Sequence, residues 1–286
     1  MNTILNYLKL LRPTHWIKNL LIFAPLIFAD TELSIEILLK GIPLFFAFSF
    51  LASAVYIIND LSDEESDKVH PTKKLRPIAS GEVSHAEAYI LMGISFIAAL
   101  FLSLDLSLKV QLILLAYFIA NILYSTKFKH VVILDLFIVA FLYLLRIYVG
   151  GKLWDVDLSH WIILCTFFLA LFLVSGKRRA ELNNLGSKKK NSRMVIRNYN
   201  EEFLNHLLTI STTSVIVSYA LYTVSIPKPY MVYTSIIVAF GLVRYLYLIY
   251  NNNVGEAPEQ AVFKDGWVIG LFILWLALVS YIFFRF

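Results

Sequence analysis

One cysteine, Cys165, stands in 286 residues, which excludes a disulfide framework. It lies in an apolar run and reads as packing. Charge is scarce: Asp, Glu, Lys and Arg together make 16% of the chain, against about 25% in a soluble domain. Histidine is rare as well, and neither His15 nor His70 has a second ligand at a zinc-like spacing. No internal repeat is evident, and no low-complexity tract beyond Lys188-Lys189-Lys190. What fills the space is apolar: 59% of residues are hydrophobic and 15% aromatic, with a mean hydropathy of +0.71. One core cannot hold so much apolar surface. A soluble enzyme, a disordered chain and a nucleic-acid-binding protein are therefore excluded, and an all-α integral membrane protein is expected.

A helix crosses a bilayer with about 20 apolar residues. Nine segments qualify, at about 17–30, 38–59, 86–104, 108–124, 131–150, 159–176, 206–226, 230–250 and 267–284. The first is short and contains Pro25. It lacks a small-residue cleavage site and ends in Asp30-Thr31-Glu32, so it reads as a span and not as a cleaved signal.

The basic residues orient the chain. With the N-terminus inside, 18 of the 25 Lys and Arg fall on the cytoplasmic side, 5 on the other, and Arg146 and Arg244 lie within segments. That bias predicts an N-terminus in the cytoplasm and a C-terminus on the far side of the cytoplasmic membrane. The far-side loops are short. The cytoplasmic stretches at about 60–85 and 177–205 are long and dense in mixed charge, where function tends to sit. A single transmembrane catalytic domain over 1–286 is the expected organisation.

The second segment ends in Asn59-Asp60-Leu61-Ser62-Asp63-Glu64-Glu65-Ser66-Asp67. On a continuing helix Asn59, Asp63 and Asp67 share a face, with Asp60 beside them at i, i+3 and i+7. Carboxylates in a row repel, and Mg2+ relieves that repulsion while accepting substrate phosphates as further ligands. A solvated acidic face is the plainer alternative. The next stretch, His70-Pro71-Thr72-Lys73-Lys74-Leu75-Arg76-Pro77-Ile78-Ala79, is basic and held by two prolines. Acidic then basic within one stretch points to metal plus phosphate.

The pattern Asn59-Asp60-x-x-Asp63-x-x-x-Asp67, followed by His70-Pro71-Thr72-Lys73-x-x-Arg76-Pro77-Ile78-Ala79, resembles the first signature of the UbiA-type intramembrane prenyltransferase superfamily. The resemblance implies a nine-helix bundle with a Mg2+-dependent active site on the cytoplasmic side. Asn59, Asp60, Asp63 and Asp67 would be the metal-binding and catalytic residues. Three further stretches narrow the branch: Leu11-Arg12-Pro13-x-x-Trp16-x-Lys18-Asn19, Tyr124-Ser125-x-x-x-Lys129, and Gly176-Lys177-Arg178-Arg179-x-Glu181. Aromatic prenyltransferases of the superfamily carry a second Asp-rich motif at the last place, where this chain has a basic cluster. The set resembles the decaprenyl-phosphate phosphoribosyltransferase branch, as do Gly255-Glu256-Ala257-Pro258-Glu259 and Asp265.

That resemblance implies transfer of phosphoribose from phosphoribosyl pyrophosphate to a polyprenyl phosphate in the lipid bilayer. Lys18, Lys73, Arg76, Tyr124, Lys129, Arg146, Lys177, Arg178 and Glu181 would then line the phosphates. Plainer alternatives stand beside several of these. Lys177 to Arg179 also suit positive-inside anchors. Arg146, in an apolar span, would otherwise pair with Asp135 or Glu181 to fix packing. Tyr124 would contact ribose or simply pack, and Trp16 suits an interfacial anchor. Two other functions remain open: prenyl transfer to an aromatic or glycerol-phosphate acceptor, and transport of anionic solutes. The oligomeric state is not legible.

Overall fold

Among the described residues, eight helices are long and apolar enough to cross a membrane: Ile35–Lys68, His85–Ser103, Leu108–Thr126, Leu134–Leu153, His160–Asn183, Glu201–Ser225, Pro229–Asn251 and Gly266–Phe283. The computed structural model describes residues 3–27, 34–70, 72–185, 194–252 and 265–285. In chain order the α-helices are α1 (Thr3–Leu11), α2 (Ala24–Ile27), α3 (Ile35–Lys68), α4 (His85–Ser103), α5 (Leu108–Thr126), α6 (Leu134–Leu153), α7 (His160–Leu185), α8 (Met194–Arg197), α9 (Glu201–Ser225), α10 (Thr234–Asn252) and α11 (Gly266–Arg285). Short 3-10 turns at Lys73–Leu75, Phe128–His130 and Pro229–Tyr233 join some of them.

The eight helices match eight of the nine expected segments. The first, at 17–30, differs. Its described part is a 3-10 helix, Pro13–Phe23, followed by the single turn α2, and its last three residues lie outside the described ones. The helix opens on Arg12, whose backbone is left-handed at φ 54 and ψ 55, with Pro13 at its first position.

Two compact units divide the chain. The first comprises the described residues of Met1–Ile138 and Leu145–Asp157. The second comprises those of Val139–Leu144, Leu158–Lys190 and Met194–Phe286.

In the first unit α3 is the axis, with α1, α4, α5 and the 3-10 helix packed on it. Its 34 residues are about 51 Å long at 1.5 Å per residue, well beyond the roughly 30 Å of a hydrocarbon core. Ser34 caps its start by accepting the Ile37 N–H at 3.2 Å. The polar end, from Asn59 on, continues the helix past its apolar stretch. The 3-10 helix runs antiparallel along α3. Trp16 Nε1 donates to Ser53 Oγ at 3.0 Å and Asn19 Nδ2 to Ser49 Oγ at 3.0 Å, and Phe23 lies against Gly41. Small residues on α3 allow this approach. Ser84 and Glu87 form a capping box that starts α4. The exposed face of α4 carries Ile90, Ile94, Ile97 and Phe101, at the spacing of one helical stripe suited to lipid contact.

Gly150 on α6 is a second close approach. A methyl group there would stand 1.9 Å from the Ile22 carbonyl oxygen, a backbone atom that cannot rotate away. Gly150→Ala is expected to destabilise the protein by about 1–3 kcal/mol or more through overpacking. A thermal-unfolding midpoint in detergent equal to that of the parent would contradict the packing described.

In the second unit α7 packs along α9, and α10 packs on α9 and α11. Phe172, Leu208, Tyr245 and Ile249 form its core. Trp275 Nε1 donates to Tyr219 Oη at 2.7 Å, which lies 2.8 Å from Thr234 Oγ1, so the polar tips inside this apolar packing have partners.

Candidate active site

The acidic end of α3 is buried. Asp60, Asp63 and Asp67 are only 2%, 5% and 2% exposed, on one helix face as their spacing predicts. This removes the solvated-face alternative. Buried carboxylates need counterions, and basic side chains from three separate stretches supply them. Arg12 bonds to Asp60 through Nη2. Arg76 Nη1 bridges Asp60 Oδ1 at 2.9 Å and Asp67 Oδ2 at 2.6 Å. Lys129 Nζ, itself 4% exposed, donates to Asp63 Oδ1 and Ser62 Oγ, both at 2.8 Å. Asn59 accepts a hydrogen bond from Ser125 Oγ through Oδ1. Its side chain therefore faces the end of α5.

Local folding explains how the basic residues reach this face. The stretch after Lys68 is tightly turned. Ser80 N–H bonds to the Arg76 carbonyl at 2.9 Å and Val83 N–H to that of Pro77 at 2.9 Å, and Gly81 takes a positive φ of 77 that favours glycine. Ile78 and Val83 sit in a buried cluster with Leu10, Ile57 and Ala88. The cluster pins Arg76 over α3 from one side and the end of α1, with Arg12, from the other. The guanidinium of Arg12 also stands 5.2 Å over the Tyr56 ring. Lys129 is delivered by the turn Phe128–His130 directly after α5.

The other expected phosphate ligands of this unit are placed as follows. Lys73 is half-buried on the turn preceding Arg76, and Tyr124 is buried one residue before Ser125. Lys18 is half-buried on the 3-10 helix, next to Asn19. Arg146 is buried deeper, where Nε donates to Asn19 Oδ1 at 3.0 Å and Nη2 to Tyr117 Oη at 3.1 Å. It also lies 5.2 Å over Phe48 and 5.1 Å over Tyr117. These partners are an amide, a phenol and two rings.

In the second unit α7 continues as helix through the basic cluster to Leu185, nine residues beyond the span expected to end at 176. Arg178 and Glu181 form a buried pair, Nη1 to Oε2 at 2.7 Å, with both side chains 3% exposed. Arg179 is also buried. It donates to Asn205 Oδ1 at 2.7 Å, the Ile249 carbonyl at 3.0 Å and Glu201 Oε1 at 2.8 Å, and lies 4.9 Å over the Tyr250 ring. It ties α7 to α9 and α10. Neither arginine is a solvated membrane anchor. Lys177 is half-buried beside them. Arg244 pairs with Asp265 at 2.8 Å, and Asp265 Oδ1 accepts the Val268 N–H at 3.0 Å at the start of α11. The hydrogen bond from Arg244 holds the Asp265 carboxyl below its ordinary value. The stretch Gly255-Glu256-Ala257-Pro258-Glu259 lies outside the described residues.

Among the described residues, no group of three or more His, Cys, Asp or Glu is gathered as a ready metal cage. The donor chemistry nevertheless suits a hard divalent cation. Asp60, Asp63, Asp67 and Asn59 offer oxygen ligands on adjoining faces of one helix end, and Mg2+ takes a few carboxylates plus phosphates in preference to a full protein cage. Arg12, Ser62 and Ser125 are site residues that sequence reasoning did not single out. Arg12 and Ser125 carried a signal, their places in the N-terminal motif and in the motif Tyr124-Ser125-x-x-x-Lys129.

A polytopic helical membrane protein with an acidic helix end buried against basic side chains is the class so defined. The chain belongs to the UbiA prenyltransferase family, whose model matches residues 20–269. It is similar to the decaprenyl-phosphate phosphoribosyltransferase of Mycolicibacterium smegmatis, at 32% identity over 98% of this chain and 92% of that one. The enzyme of the same name from Mycobacterium tuberculosis is 31% identical over 98% of this chain and 94% of its own. In fold it is similar to a UbiA homolog from Archaeoglobus fulgidus bound to DMAPP and Mg2+, with a TM-score of 0.73 at 20% identity, covering 98% of each chain.

Proposed function

We propose that the protein transfers the 5-phosphoribosyl group from phosphoribosyl pyrophosphate to a polyprenyl phosphate and releases pyrophosphate. Similarity over nearly the whole chain to phosphoribosyltransferases of that kind carries the proposal. The basic side chains gathered around the acidic helix end agree with it, since this substrate pair brings phosphates on both sides of the reacting carbon.

Asn59, Asp60, Asp63 and Asp67 would hold Mg2+, which when bound neutralises charge on the diphosphate leaving group. The remaining work falls to the chain. Arg76 and Lys129 hold phosphate oxygens and fix the donor. Ser62 orients Lys129, and Ser125 orients Asn59. Lys18, Lys73, Tyr124 and Arg146 are further candidates for phosphate or ribose contact and, on motif alone, so are Lys177 and Arg178, with Glu181 as the counterion of Arg178. The lipid phosphate is anionic at neutral pH, so no general base is required. Its oxygen bonds to the anomeric carbon as the bond from that carbon to the diphosphate breaks. The electron pair leaves with pyrophosphate, and the anomeric centre inverts.

Nine crossings are part of the proposal. The 3-10 helix covers about 22 Å at 2.0 Å per residue, and α2 adds about 6 Å. Together they approach the roughly 30 Å hydrocarbon thickness, and the antiparallel contacts from Trp16 to Phe23 along α3 agree. With nine crossings the N-terminus is cytoplasmic, the C-terminus is on the far side of the inner membrane, and the acidic end of α3 faces the cytoplasm.

The test is product analysis. Purified protein given labelled phosphoribosyl pyrophosphate, Mg2+ and a polyprenyl phosphate is expected to yield a lipid heavier by one phosphoribosyl group, and chelation of the metal is expected to stop it. If the protein instead joins a prenyl diphosphate to an aromatic acid offered in the same mixture, the proposal is wrong.

A further inference from the structure

Three buried carboxylates at the end of α3 bond to the basic side chains of Arg12, Arg76 and Lys129, so oxygens that a metal would take are already engaged. Adding a divalent cation alone brings two more positive charges against these basic groups, in a place with little water to screen them. It also sets the metal against the ammonium of Lys129 and the guanidinium of Arg76 for the same oxygens. Adding the cation together with a diphosphate removes both difficulties, because the phosphates give the displaced basic groups new partners.

The three basic residues are not equivalent. Arg12 is fixed. Its backbone is left-handed ahead of a proline, a conformation that costs energy for a non-glycine residue, and its guanidinium also stacks on Tyr56. Arg76 and Lys129 reach the carboxylates from turns, through long side chains that can swing away while the backbone stays in place.

We propose that Arg76 and Lys129 are exchangeable counterions. They hold Asp60, Asp63 and Asp67 in competition with the metal and move to the donor's phosphates when metal and donor bind together, while Arg12 stays on Asp60. Metal and donor then bind with positive coupling, each favouring the other. The inference rests on the metal assignment made above, and adds that these two residues weaken binding of metal alone and strengthen binding of donor.

The experiment titrates the full-length protein in nanodiscs with Mn2+ alone, read by electron paramagnetic resonance, and measures donor binding separately at saturating Mg2+. Lys129→Met is expected to bind Mn2+ about tenfold tighter than the parent, since a neighbouring positive charge is gone, and to bind phosphoribosyl pyrophosphate about tenfold more weakly. Lys129→Arg is expected to restore both values toward the parent. A purely structural role for Lys129 would weaken both together. Mn2+ affinity in Lys129→Met equal to or below that of the parent overturns the proposal. Should that variant fail to fold, Arg76→Gln is measured with the same expectation and the same overturning result. Asp63→Asn serves as reference: if it binds Mn2+ as the parent does, the metal assignment itself falls, and the exchange with it.

Discussion

Asp63→Asn is expected to lower phosphoribosyl transfer by about 10³-fold, in line with the loss of one preorganised electrostatic group at a reacting centre. The substitution keeps the shape of the side chain and removes its charge. Two effects follow, and they separate. The first is chemical: one of the carboxylates offered to Mg2+ becomes a weak neutral ligand. The second is structural: Lys129, 4% exposed, loses its carboxylate partner at 2.8 Å. Breaking a buried pair from one side costs about 3–5 kcal/mol, so part of any lost activity would reflect lost protein. Asp63→Asn combined with Lys129→Met resolves this, because the double variant has no stranded charge. Its unfolding midpoint is expected to return most of the way to that of the parent, while transfer stays abolished. Normal transfer in Asp63→Asn, measured as labelled lipid per folded protein, would remove Asp63 from the mechanism.

The spans were legible because nothing but a bilayer accounts for apolar runs of such length in a chain so poor in charge. The segment at 17–30 takes a different helical form, which apolar length alone does not reveal. Pro13–Phe23 winds as a 3-10 helix, which an apolar run does not distinguish from an α-helix, and its start depends on a left-handed Arg12 that no composition rule anticipates. The acidic row was legible for the opposite reason. Asp60, Asp63 and Asp67 lie on one helix, where spacing alone decides which residues share a face. Their counterions were not. Arg12, Arg76 and Lys129 are 48, 16 and 66 positions from their partners, and only the packing of α1, the 76–83 turn and α5 around α3 brings them there. Arg76 and Lys129 were recognised as basic residues of a phosphate motif. That their buried positions place them on carboxylates is a property of the fold. Arg146 is similar: the cost of charge in an apolar span marked it, but Asn19 and Tyr117 as partners depend on the path of the 3-10 helix.

Arg178→Met is expected to destabilise the protein by about 3–5 kcal/mol, seen as a lower denaturation midpoint in detergent. The motif alone allows two accounts of this residue. An anchor at the membrane surface would be screened by water and worth about 0–1 kcal/mol, and its loss would leave folding unchanged. A buried counterion behaves differently: Arg178 and Glu181 are each 3% exposed and meet at 2.7 Å, so removing the cation leaves a carboxylate in packed surroundings. The decisive comparison is Arg178→Met with Glu181→Met in the same chain. If the charges chiefly serve each other, the double variant recovers most of the loss, because two apolar side chains of similar length replace a pair that was costly to desolvate. A parental midpoint in the single variant would exclude the buried-pair account. Stability and transfer then part company in an informative way. A double variant that folds like the parent yet fails to transfer phosphoribose would show that the Arg178 charge also serves a substrate phosphate, as the motif suggests. A double variant that both folds and works would leave Arg178 and Glu181 with a structural role in α7, and the basic cluster's part in catalysis would narrow to Lys177.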